Sequence, residues 1–164
     1  FQTPGVAEAE FEKDVRTALR KFYHMASGEL DLSTLTEKSA DDDMLTSLID
    51  PEKMGDWLTS NDLNFYVNEF THSGFAGPLN YYRNHNLTWE LSANQPTEIH
   101  QPALFVAGER DGVIAMTGPA LENMPNFVKD LRTNVLIPKI GHWTQQEAPD
   151  AVNGYLLDWL AGLN

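Results

Sequence analysis

The sequence predicts an α/β chain: a helical segment first, then the strand, helix, strand, helix order that closes a parallel sheet. Three observations carry this reading. Apolar residues before Asn94 recur at helical spacing. Two short continuous apolar runs, Ala103-Leu104-Phe105-Val106-Ala107 and Asn134-Val135-Leu136-Ile137, occur only after Pro102, and a helical pattern follows each of them. Two parallel strands do not make a stable open sheet alone, so the hydrophobic pattern does not close on itself. The expectation is the tail of a larger sheet, completed by an amino-terminal segment that precedes Phe1.

Thr3-Pro4-Gly5 reads as a turn into a helix from Val6 to Met25, with Phe11, Val15, Leu19, Phe22 and Tyr23 along one face. Periodicity weakens from Ser27 to Asp56. The run Asp41-Asp42-Asp43 lies there among Ser, Thr, Gly and Pro, without the ligand alternation of a calcium loop, and reads as a solvated surface loop. Ser60 or Asn61 can cap a second helix that carries Leu63, Tyr66, Val67 and Phe70 and stops at Gly74. A third helix runs through Pro78 to about Asn86. Asn, Gln, Pro and Thr cluster between Asn94 and Pro102 as in a linker, dividing the chain into residues 1–95 and 96–164. After the first apolar run a helix is expected from about Pro119 to Leu131. Another follows the second run, from Pro149 to Leu163, with Val152, Tyr155, Leu156, Trp159 and Leu160 on its apolar side. Trp89 and Trp159 read as structural residues.

Composition excludes several functions. With 41% hydrophobic and 21% charged residues the chain is not wholly disordered. A net charge of -13, with the Lys and Arg residues scattered, argues against nucleic acid or an anionic membrane as a partner. Absence of cysteine removes disulfides, thiolate metal sites and a cysteine nucleophile. No apolar stretch approaches the roughly 18 residues that span a bilayer, and a cytoplasmic location is the default expectation. His24, His72, His85 and His100 show no metal-ligand spacing.

Two short motifs hold the chemistry. Gly108-Glu109-Arg110-Asp111-Gly112 follows the first apolar run and Lys139-Ile140-Gly141-His142-Trp143-Thr144-Gln145 follows the second, so Asp111 and His142 lie at the strand ends where open α/β sheets place reactive groups. A carboxylate that holds the Nδ1 hydrogen of an imidazole leaves Nε2 free to take a proton from water. An Asp after a strand also caps helices, and a Gly-His pair also turns loops; the residues alone leave both readings open. No nucleophile elbow precedes Asp111, so the attacking residue is expected outside these residues.

Together with Ser73-Gly74-Phe75-Ala76-Gly77-Pro78-Leu79-Asn80-Tyr81-Tyr82-Arg83-Asn84 and the closing helix, these motifs resemble the soluble-type epoxide hydrolases of the α/β-hydrolase fold. The resemblance covers nearly the whole chain, beginning with Pro4-Gly5-Val6-Ala7-Glu8-Ala9-Glu10. It implies that residues 1–95 form a helical cap (lid) domain and that 96–164 are the carboxyl-terminal part of the hydrolase core. It implies that Tyr82, just before Arg83, donates its hydroxyl hydrogen to the epoxide oxygen. Tyr81 is the neighbouring candidate, about 100° away if the segment is helical. Phe75 and Trp143 become candidate substrate contacts, each with a packing role as the alternative.

The reaction so implied is attack of an aspartate on an epoxide carbon to give an ester, followed by hydrolysis with water activated by His142, without a metal or organic cofactor. The partner would be the amino-terminal segment bearing that aspartate, the oxyanion-hole segment and a further cap tyrosine; this chain alone would be inactive. The substrate would be a small hydrophobic epoxide, and a homodimer through cap contacts is a family feature the resemblance carries over. The rivals are a haloalkane or haloacid dehalogenase, a serine esterase of the same fold, and a non-catalytic interaction domain derived from a hydrolase.

Overall fold

The computed structural model describes residues 2–31, 33, 39 and 42–163; Asp41 of the acidic run lies outside them. They form two compact units, Phe1–Met25 with Asp31–Gln95, and Ala26–Leu30 with Pro96–Asn164. The short run Ala26–Leu30 lies within residues 1–95 in sequence and belongs to the second unit. Its backbone hydrogen-bonds to residues near His142, a non-local pairing that composition cannot show.

In the helical unit the helix expected over Val6 to Met25 is two: α1 (Val6–Lys13) and α2 (Val15–Met25). Asp14 breaks it, at φ -149° and ψ 88°. Its carboxylate accepts the Thr17 backbone N–H at 3.1 Å and the Thr17 hydroxyl at 2.8 Å, the local bonding by which Asp caps a new helix in preference to extending an old one. α3 (Ser60–Ser73) is capped by Thr59, one residue earlier than expected, in a reciprocal box with Asp62. It ends at Gly74, whose φ of 68° suits a residue without Cβ. The expected third helix is also two, α4 (Ala76–Arg83) and α5 (His85–Ser92), meeting at Asn84.

Packing follows the predicted apolar faces. Phe11, Leu19, Leu63 and Leu79 are buried together with Ala7, Ala18, Met54, Leu58 and Phe75. Phe75 stacks on Phe70 with ring centroids 4.7 Å apart and lies 5.0 Å from Phe11, so aromatic contacts join α1 and α3 just ahead of α4. Trp89, read as structural, is 78% exposed in this chain.

An ion pair joins the tyrosine-bearing helix to α1. Arg83 donates to both Glu8 carboxylate oxygens, at 2.6 and 2.9 Å, and Glu8 also accepts the Gly5 N–H at 2.8 Å.

The second unit is a parallel pair, β1 (Ile99–Gly108) with β2 (Val128–Ile137), in register Val106 to Val135 and Gly108 to Ile137. Each strand has 10 residues and extends amino-terminally well beyond its apolar run, so the expected linker partly pairs. The ladder is irregular on both sides of Pro102, which lacks an N–H. α6 (Gly112–Phe127) begins at its Asp111 cap, ahead of the expected Pro119, and contains Pro119 and Pro125. α7 (Thr144–Glu147), unforeseen, precedes α8 (Pro149–Ala161). Neither α6 nor α8 buries a residue fully, and Val113, Met116, Phe127, Leu156, Leu157 and Leu160 are exposed. Among the described residues no helix is long and apolar enough to cross a membrane.

The Glu8 and Arg83 pair predicts a pH dependence. The guanidinium holds the Glu8 carboxyl well below its usual 4.5, at about 2, helped by the Gly5 N–H and opposed by partial burial. A carboxyl lowered on folding contributes stability that is complete above its unfolded value and is lost as pH falls through the folded one. The melting-temperature gap between the native protein and Glu8→Gln should therefore be constant above pH 4.5 and close toward pH 2. A gap independent of pH across that window in thermal melts would contradict the pairing.

Candidate active site

Asp111 follows β1 at the start of α6, and its two carboxylate oxygens have different tasks. Oδ1 accepts the Val113 N–H at 2.8 Å, capping α6, while Oδ2 lies 2.9 Å from Nδ1 of His142. The two readings of Asp111 left open by the sequence, helix cap and imidazole partner, therefore hold together. An ionised carboxylate only accepts, so this bond places a hydrogen on Nδ1 and leaves Nε2 as the free position. The Asp111 side chain is 11% exposed and that of His142 46%, so the orienting group is shielded and the imidazole is accessible.

His142 is on a loop after β2, where no ladder fixes the backbone. Its position comes from a close meeting of three chain segments. A Cβ on Gly108 would overlap the carbonyl oxygens of Ile140 and Gly141; one on Gly28 would overlap the Lys139 carbonyl; one on Gly141 would overlap Gly28 and Ser27. Across that junction the His142 N–H donates to Ala26 O at 2.8 Å, Arg110 N to Ile140 O at 2.8 Å, and the Arg110 guanidinium to Gly28 O at 2.8 Å. Buried Thr144 donates its hydroxyl hydrogen to Gly141 O at 3.1 Å. The Trp143 ring stands edge-on to the imidazole, with centroids 5.2 Å apart and planes at 78°.

Asp111, His142 and Trp143 thus come together in the α/β unit. The remaining candidates are in the helical unit. Tyr81 and Tyr82 both lie on α4, 75% and 42% exposed, with rings in edge contact at 6.0 Å, and Tyr82 also meets His85 edge-on. Phe75 is in the interior, 5% exposed. Among the described residues no group of three His, Cys, Asp or Glu side chains is placed to hold a metal ion. The sequence reading missed Gly28, Ala26 and Glu147. Gly28 and Glu147 are hydrogen-bonded across 119 residues, and the one local hint is the Ser27-Gly28 turn signal.

Comparison with known proteins adds the relatives. No family model matches the chain. It is 35% identical over 161 residues to bifunctional epoxide hydrolase 2 of Rattus norvegicus, covering 98% of the chain and 28% of that protein. To epoxide hydrolase A of Mycobacterium tuberculosis it is 34% identical over 166 residues, covering 99% of the chain and 51% of that protein. Among solved structures, an epoxide hydrolase from an endophytic Streptomyces superposes with a TM-score of 0.92 at 37% identity, covering 99% of this chain and 50% of that one. The chain spans about half, or less, of the length of these relatives.

The glycine junction makes a sharp prediction. Gly28→Ala should destabilise the protein by about 1–3 kcal/mol, because the methyl group has no room and the backbone must shift. Gly77→Ala, in open space on α4, should stay within about 1 kcal/mol of the native protein. Denaturant midpoints for the two variants would test this, and equal midpoints would refute the close approach.

Proposed function

We propose that this chain, whose relatives are α/β-hydrolase-fold epoxide hydrolases, provides the cap and the acid–base half of an enzyme that adds water to an epoxide to give a vicinal diol. The observation that carries this reading is the 2.9 Å bond between Asp111 and Nδ1 of His142, with the acid shielded and the imidazole accessible. That arrangement suits a general base acting on water.

In the proposed sequence an aspartate oxygen attacks an epoxide carbon and the carbon–oxygen bond breaks. Tyr82, with a second cap tyrosine outside this chain, gives the developing alkoxide its proton. Water then loses a proton to Nε2 of His142 as its oxygen adds to the ester carbonyl. Collapse breaks the acyl–oxygen bond, His142 returns the proton to the departing alkoxide, and the last proton of that water goes back to the phenolate. These steps need no metal or organic cofactor.

The nucleophile would come from an amino-terminal segment of the same hydrolase. Its seat would be the apolar surface of α6 and α8, where Met116, Phe127 and Leu157 are exposed and, among the described residues, the sheet has two strands. The substrate we propose is a small hydrophobic epoxide, and the compartment the cytoplasm.

Two outcomes test the proposal. The chain alone should form no diol. Joined to its amino-terminal half, it should turn over an aryl epoxide but neither a haloalkane nor an aryl ester. In that complete enzyme His142→Gln should reduce turnover by about 10²–10⁴-fold while leaving ester formation intact, so that intact-mass spectrometry finds enzyme plus one substrate. Diol formation by the isolated chain, or a His142→Gln enzyme that neither turns over nor gains mass, would sink the reading.

A further inference from the structure

We propose that Glu147 is a positioning residue for His142, holding the imidazole's backbone in place from the last residue of α7. Three backbone donors converge on its carboxylate. Oε2 accepts the N–H groups of Gly28 at 2.9 Å and Gly141 at 3.0 Å, and Oε1 accepts that of Trp143 at 3.2 Å. Gly141 and Trp143 flank His142, whose own N–H is held by Ala26 O. The three consecutive amides from Gly141 to Trp143 are therefore all fixed, two of them by Glu147.

The chemistry of the acceptor matters. A carboxylate has about four lone-pair positions and can take three donors. A glutamine amide has one acceptor oxygen, and its NH2 would face at least one of these N–H groups, donor against donor. Both flanking amides, Gly141 N and Trp143 N, donate to Glu147, and α7 is only 4 residues long, too short for a helix ladder to hold the loop in its place. The carboxylate also fastens Gly28, through which the Ala26–Leu30 run is brought against the histidine loop. Displacing this loop by a fraction of an ångström would misalign Nδ1 with Asp111, and a general base tolerates little such error.

The test uses the complete enzyme, this chain with its amino-terminal half, as Glu147→Gln and Glu147→Asp variants. The direct readout needs no substrate: the Nδ1 proton of His142 in nitrogen-15 NMR. It should be protected from exchange in the native enzyme, exchange at least tenfold faster in Glu147→Gln, and fall between in Glu147→Asp, which keeps the charge on a shorter arm. The kinetic readout rests on the epoxide hydrolase reading. Ester formation should stay within about twofold of native while ester hydrolysis slows at least tenfold, so the ester accumulates. An unchanged Nδ1 proton overturns the proposal, as does equal slowing of both half-reactions. If Glu147→Gln does not fold, Glu147→Asp decides by the same criteria. A native enzyme that forms no ester defeats the functional reading, and the Nδ1 proton still decides the role of Glu147.

Discussion

The contact on which the candidate site depends is made by residues without side chains. Gly28, Gly108 and Gly141 bring three backbone segments closer than any Cβ would allow. Because they meet, β1's carboxyl end, the histidine loop and the Ala26–Leu30 run can exchange hydrogen bonds directly. A loop after a strand is ordinarily the mobile part of an α/β domain. Here its amides are used up by Ala26 and Glu147, and the imidazole inherits the rigidity of the junction.

Asp111 shows how one side chain ties two kinds of order together. Its cap bond to Val113 N belongs to helix formation, and its bond to Nδ1 belongs to the site. The cap fixes the carboxylate by a local interaction, so the imidazole meets an oxygen already restrained. Starting α6 at this residue therefore has a consequence beyond helix length. Had the helix begun at Pro119, as proline's preference for a first turn suggests, the carboxylate would lie on a free loop.

What was legible in the sequence was what depends on local pattern. Apolar spacing found the faces of Phe11, Leu19 and Leu63, continuous apolar runs found the carboxyl-terminal parts of both strands, and Gly74 marked the end of α3. Boundaries failed where a polar side chain chose a partner that pattern does not reveal. Asp14 turned to Thr17 and split a helix; Thr59 with Asp62 displaced a cap by one residue. Order along the chain offered Asp111 as a partner of His142 or as a helix cap, but not that it would be both at once. The Ala26–Leu30 run was hidden because its partners are distant in sequence, Gly28 meeting Arg110 across 82 residues and Glu147 across 119, and no periodicity encodes such a contact.

These hydrogen bonds also define what the chain determines by itself. Every group that fixes His142, from Ala26 and Gly28 through Asp111 to Glu147, is a residue of this chain and of one compact unit. Among the described residues, orientation of the base thus rests on contacts within that unit. The segment proposed to carry the nucleophile would have a different task, to cover the exposed apolar residues of α6 and α8 and to extend a sheet that has two strands among the described residues. Folding of the sheet and alignment of the base are thus separable demands. On that proposal a substitution on the exposed apolar surface would act through assembly, whereas one at the glycine junction acts on the stability of the backbone that carries the imidazole.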